Sequence, residues 1–393
     1  MFVPVIFMEK MNLMNKIKKE KWSVLIILLS VLVYAGLRVY LHEDRVLEQG
    51  TDYAEYEKAV VTEVLSDSTF QDESSDFGYR GEQSLIMEVQ TGQYKGTSLM
   101  VGNYIGPLYG VPLQKGDTAS IIINTYSSGD VRATVYEFNR IPALIGILLL
   151  FFLITILIGG KTGARSLVSL IITILILFRI LIPFLLKGAP TLPAVFLACL
   201  FITVISFTIL GGLQRKTVCA MIGTASGTAF AMLFGLAAQH FARIDGLRVA
   251  DVEPLLQLRQ SGMNIGLRGL LVGGIIISAL GAVMDVAMSI SSSLEEVHNA
   301  NPNLNAKELF QSGMNIGQDM VGTMTNTLIL AFLGSGFTLI IYLFSLGLST
   351  YQLLPSAYTA IEVISGISSS IGMILTIPLT AFINAMLLAK DRT

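Results

Sequence analysis

Ile141-Pro-Ala-Leu-Ile-Gly-Ile-Leu-Leu-Leu-Phe-Phe-Leu-Ile-Thr-Ile-Leu-Ile158 contains no charged side chain. As a helix it approaches the thickness of a bilayer's hydrocarbon core. Comparable runs recur along the 393 residues, of which 53% are apolar and only 14% charged, with mean hydropathy +0.67. A water-soluble chain carries about 25% charged residues. Disordered, collagenous, coiled-coil and disulfide-scaffold classes are excluded. The expected class is an α-helical polytopic membrane protein with eight transmembrane helices, near 23–40, 141–158, 166–186, 192–212, 217–239, 269–290, 319–347 and 366–389.

Outward from that run toward the N-terminus the pattern changes. Short stretches at 59–65, 84–90, 97–101, 119–123 and 132–136 alternate or are β-rich, with turns such as Lys115-Gly-Asp117 between them. Five short strands suit a small all-β, OB-like barrel inserted after the first helix. Residues 41–140 hold 16 Asp and Glu against 7 Lys and Arg, a balance of −9 within a chain whose net charge is −2. An acidic domain on a faintly basic body offers no footprint for nucleic acid.

Charge also orients the helices. Residues 1–22 form a basic N-terminus with four lysines in Lys16–Lys21, followed by Trp22 at the interface. A retained anchor at 23–40 is expected, with a cleaved signal peptide as the competing reading; residues 1–10 read as an upstream extension, with Met11 or Met14 as the start. Lys161 and Arg165, Arg215 and Lys216, and Lys390 and Arg392 all fall on one side of an eight-span chain. Both termini are therefore expected to be cytoplasmic and residues 41–140 extracytoplasmic. With two cysteines and three histidines, no dedicated metal site is expected, nor any cofactor.

The membrane body, 141–393, contains an internal repeat. Gln260-Ser-Gly-Met-Asn-Ile-Gly266 recurs identically as Gln311-Ser-Gly-Met-Asn-Ile-Gly317. Each copy is expected to precede a membrane helix, and the two helices run in opposite directions, so the copies approach from opposite faces as in inverted-repeat transporters. Gly262, Gly266, Gly313 and Gly317 permit close backbone approach or positive φ. Asn264 and Asn315 can present amides to a solute or satisfy helix ends. The blander reading is an element that seats helix ends by capping and packing.

Charged residues within spans need a reason, because each costs about 2.5–3.5 kcal/mol at mid-helix on insertion scales. Ser278, Gly281, Asp285, Ser289 and Ser292 share one small, polar helical face. Such a face lines either a tight helix interface or a wet cavity; Asp285 is thus a proton- or cation-handling group or a hydrogen-bonded structural carboxylate. Asp319, Thr323 and Asn326 mark a second such face, and Arg268 stands at the position of the first copy that Asp319 holds in the second. Gly334-Ser-Gly336 interrupts a stretch too long for one straight crossing, and a second polar-flecked segment follows with Glu362 and Ser365-Gly-Ile-Ser-Ser-Ser370. The sequence has no H-E-x-x-H, G-x-S-x-G or P-loop motif, so an enzyme is not expected.

Leu280-Gly-Ala-Val-Met-Asp-Val-Ala-Met-Ser-Ile-Ser-Ser292, with one further serine, and Gly313-Met-Asn-Ile-Gly-Gln-Asp-Met-Val-Gly-Thr-Met-Thr-Asn-Thr-Leu-Ile-Leu330 resemble the YibE/F family of bacterial multi-pass membrane proteins. Where that family's pattern has Arg before the second Asp, this chain has Gln318. The resemblance implies a bacterial plasma membrane and the eight-span body with its external β domain; it supplies no catalytic residue. Two functional readings follow. One is a transporter, permease or exporter of a small solute, proton- or cation-coupled through Asp285. The other is a scaffold or accessory subunit whose β domain binds an extracytoplasmic partner and whose polar helix faces pack a homo- or hetero-oligomer.

Overall fold

Alternation in the acidic segment produces a closed barrel. The computed structural model describes residues 54–72, 78–107, 109–126, 130–244, 256–257, 266–267 and 269–389. The strands are β1 (Ala54–Asp67), β2 (Phe70–Gln71), β3 (Tyr79–Val89), β4 (Ser98–Ile105), β5 (Thr118–Thr125) and β6 (Val131–Phe138). β1 pairs antiparallel with both β3 and β5, β3 with β4, and β5 with β6, while β4 and β6 run parallel. The ring β1–β3–β4–β6–β5 closes on itself, the five-stranded Greek-key arrangement of the OB kind. The five expected strands are all present and longer than expected. The two-residue β2, paired through Phe70 and Arg80, is additional.

Inward positions carry the barrel core. Leu85, Met87, Val101, Ala119, Ile121 and Ile123 are fully buried on alternate residues of three strands. Two buried amides, Gln83 and Asn103, sit among them and bond each other. Gln83 donates from Nε2 to Asp67 Oδ2 (2.8 Å), and its Oε1 accepts from Asn103 Nδ2 (2.9 Å) and Leu113 N (2.8 Å). Asp67 also accepts from the Thr69 hydroxyl and amide, and the Thr69 hydroxyl leads the bonds that hold its carboxyl below the usual range.

The second compact unit lies within Ile158–Thr393. Its helices, with the one that leads into it, are α1 (Ile141–Ile176), α2 (Ile182–Leu186), α3 (Thr191–Gly211), α4 (Arg215–Phe241), α5 (Leu270–Ala300), α6 (Ala306–Ser335), α7 (Phe337–Ser345), α8 (Thr350–Leu353) and α9 (Ala357–Ala389). A π-helical turn at Leu177–Leu181, carrying Arg179, joins α1 to α2. Among the described residues, five helical stretches are long and apolar enough to cross a membrane, taking Ile141–Leu186 as one; the bent pair α6–α7 makes six. The expected count of eight also includes 23–40, outside the described residues, and a division of Ile141–Leu186. That division has a physical seat at Gly160, whose φ of 53° and ψ of −133° take the backbone out of the helix. Lys161–Arg165, expected as a loop, are helical.

Small residues decide how the helices meet. Gly223 and Gly227 of α4 lie against Thr380 and Thr376 of α9, and Gly372 of α9 lies against Ala231 of α4. This small-xxx-small pattern on both partners lets two backbones approach closely without a hydrophobic drive from water. α6 uses the same device. A Cβ added at Gly313 would lie 2.7 Å from the Ala381 Cβ, and one at Gly317 would collide with Ile377. Around these contacts Val283, Val286, Ile290, Leu294, Met373 and Ile377 form one buried cluster.

Three expectations are corrected. The second repeat copy does not precede its membrane helix but lies inside α6. Asn305 starts that helix early through a capping box: its side chain accepts from Glu308 N (3.0 Å) and Glu308 Oε2 accepts from Asn305 N (2.8 Å). α9 begins at Ala357, nine residues before the expected span, so Glu362 is helical. Gly313 and Gly317 are helical with close neighbours, so of the two roles expected of them close approach applies and positive φ does not.

Candidate functional site

The break between α6 and α7 is the most specific irregularity in the helical unit. The two helices bend by 58° at Gly336. Gly336 is buried, and a Cβ there would lie 3.3 Å from the Glu362 Cδ. The α9 carboxylate therefore abuts the bend itself. Beside it is a cavity of about 250 Å³ lined by Phe332 and Leu333 of α6, Ile340 of α7, and Val363 and Ile367 of α9, with Glu362 as its one charged member. Glu362 is half-buried and has no hydrogen bond or ion pair among the described residues.

Asp285 lies elsewhere. Gly274, Ser278, Gly281, Asp285 and Ser289 form an exposed stripe along α5, while Val283, Val286, Ala287 and Ile290 face inward. The shared face expected from the sequence is present, but Asp285 is open to the surroundings of the described body and not enclosed within it. Ser278 Oγ lies 3.3 Å from Ser369 Oγ and donates to Ile275 O (3.0 Å), which ties the stripe to α9. Asn315, Asp319, Thr323 and Asn326 are all exposed on the back of α6, opposite Gly313 and Gly317. Asn315 Oδ1 accepts from Gln311 Nε2 (3.0 Å). Asn264, Gly262 and Arg268 lie outside the described residues.

Gly266 is the described part of the first copy. Its carbonyl accepts from Thr191 Oγ1 (2.6 Å) at the start of α3. The second copy sits at the other end of the bundle, where Gly313 meets Leu294 near the end of α5. From Leu270 to Leu294 the α5 axis covers about 36 Å. At that same end Lys216 Nζ pairs with Glu295 Oε2 (2.7 Å), and Asn384 Nδ2 donates to Ser291 Oγ (3.0 Å). The starts of α4 and α6 and the ends of α5 and α9 thus share one end.

The sequence reading did not anticipate the α4–α9 seam or the contact of Gly336 with Glu362. The Gly223-x-x-x-Gly227 spacing was a usable signal for the first; no local pattern could give the second. Among the described residues, no group of three or more His, Cys, Asp or Glu could hold a metal ion.

Long apolar helices packed through small residues define a multi-helix chain of the membrane class, here carrying a small barrel. The profile of the family described as YibE/F-like protein matches residues 147–390, and the chain belongs to that family. The match begins after the barrel and agrees with the resemblance seen in the sequence. No curated protein and no solved structure matches the chain.

Proposed function

We propose that the helical unit is a permease or exporter of a small solute in the bacterial plasma membrane. One observation carries the reading: an apolar span broken by 58° at a glycine that touches a carboxylate. Discontinuous helices of this sort form the midplane sites of secondary transporters. The open polar stripe around Asp285 supports a coupling role for that residue with protons or cations, and Gly266 and the second copy at opposite ends of α5 support copies reaching from opposing faces. In this reading both termini are cytoplasmic, the barrel is extracytoplasmic, and eight helices span. No residue is assigned to catalysis.

The test is proton movement into proteoliposomes containing the purified chain, followed with a trapped pH-sensitive dye under an imposed potential. The parent is expected to acidify the lumen and Asp285→Asn to lose most of that flux. Equal flux in both would remove Asp285 as the coupling group, and flux no greater than protein-free vesicles would remove coupling to protons.

A second reading has its own observation. Tyr56, Tyr104 and Tyr136 are 61%, 58% and 60% exposed on the outer surface of the barrel, and Tyr56 and Tyr136 meet edge to face at 5.2 Å. Aromatic side chains concentrated on one surface are what a docking face for another protein uses. A scaffold role, with α5 and α6 polar faces covered by an oligomeric partner, rests on that patch.

A further inference from the structure

We infer that the cavity at the α6–α7 bend binds a lipophilic cation, an apolar body bearing one positive centre. Two properties of the cavity select this class. Its walls are hydrocarbon from three helices, which favours an apolar ligand body. Its one charged member, Glu362, lacks a cationic partner among the described residues, although an isolated carboxylate in apolar surroundings is costly. A neutral hydrocarbon would leave that charge unpaired, and an anion would be repelled. A strongly hydrated cation such as an alkali ion would find a single carboxylate and no ring of oxygens to replace its water. An ammonium centre shielded by carbon meets both demands at once.

Size and position agree with this class. A cavity of about 250 Å³ lies just below the usual range for small-molecule pockets, so its ligand is compact. Gly336 lets the Glu362 carboxylate reach the bend, where a side chain would crowd it. The inference rests on the permease reading for its use, since it names the class of solute carried, but binding is measured at equilibrium with no flux. Transport could therefore fail while binding stands, and the reverse.

The experiment is equilibrium dialysis of benzyltrimethylammonium, and of its neutral isostere neopentylbenzene, against the full chain in lipid nanodiscs. Saturable binding of the cation is expected in the parent. Glu362→Gln is expected to weaken the cation about tenfold or more and to leave neopentylbenzene unchanged. Ile367→Trp, which fills the cavity and keeps the carboxylate, is expected to weaken both probes. Thermal unfolding of each variant establishes that it is folded. Equal cation affinity in parent and Glu362→Gln would overturn the proposal. So would the absence of saturable binding to the parent, which would mean that lipid or a segment of the chain itself fills the cavity.

Discussion

Gly317 and Gly322 lie five residues apart on α6 and meet opposite surroundings. A Cβ at Gly317 would collide with Ile377, whereas one at Gly322 finds nothing within 4 Å. Gly317→Leu is expected to destabilise the bundle by about 1–3 kcal/mol or more, because a tightly packed seam cannot absorb the volume. Gly322→Ala is expected to be neutral or to gain up to about 1 kcal/mol from helix propensity. Thermal unfolding in detergent separates the two, and equal effects would mean that α6 does not pack on α9 as described. In the barrel, the Asp67 carboxyl is held below its usual range by Thr69 and Gln83. Its contribution to stability is therefore present above the ordinary Asp range and is lost as pH falls through the lowered value. Asp67→Asn should lower barrel stability near neutral pH and flatten its acid limb, the two proteins converging below the lowered value, as read by circular dichroism against pH. Residue chemistry was legible in the sequence at these positions. The shared face of Asp285 followed from helical spacing; its exposure did not, since exposure depends on which neighbours α5 acquires.

Elements were read best where one signal dominates. Alternation located all five barrel strands, and uninterrupted apolar runs located α3 and α4 almost to the residue. The starts of α6 and α9 were missed, because hydropathy marks where a helix enters apolar surroundings and not where its first turn forms. Asn305 and Glu308 carried the start of α6 in plain view as a capping box. One buried amide bridges the seam between α5 and α9: Asn384 Nδ2 donates to Ser291 Oγ at 3.0 Å and to the Thr380 carbonyl at 2.8 Å. Interhelical hydrogen bonds in membranes average about 0.6 kcal/mol and reach about 1.7. Asn384→Leu is expected to cost within that range and Ser291→Ala less. The double variant should cost less than the sum of the two in a thermal-unfolding cycle. Strict additivity would show that the bond contributes nothing.

At the scale of the whole molecule, family membership and apolar helices suggest a membrane protein, and the arrangement of its faces carries the functional reading. α4 and α9 bury small residues against each other, while polar stripes on α5 and α6 remain uncovered among the described residues. Hydrocarbon cannot satisfy such groups, so water or protein must. The sequence showed that these faces exist. It could not show which are covered, nor bring Glu362 to Gly336, because both follow from helices distant in the chain coming together. The central claim is that the Ser278–Ser289 stripe lines an aqueous path. Single cysteines made by Ser278→Cys, Gly281→Cys and Ser289→Cys, in a chain with Cys199 and Cys219 replaced by alanine, can be tested with a membrane-impermeant thiol reagent in intact cells and inverted vesicles. Leu153→Cys, on the apolar exposed surface of α1, serves as the lipid-facing reference. Labelling of the three stripe positions about tenfold or more faster than position 153, in either preparation, is the predicted result. Stripe positions as inert as position 153 from both sides would contradict a wet path and leave the oligomer-packing role.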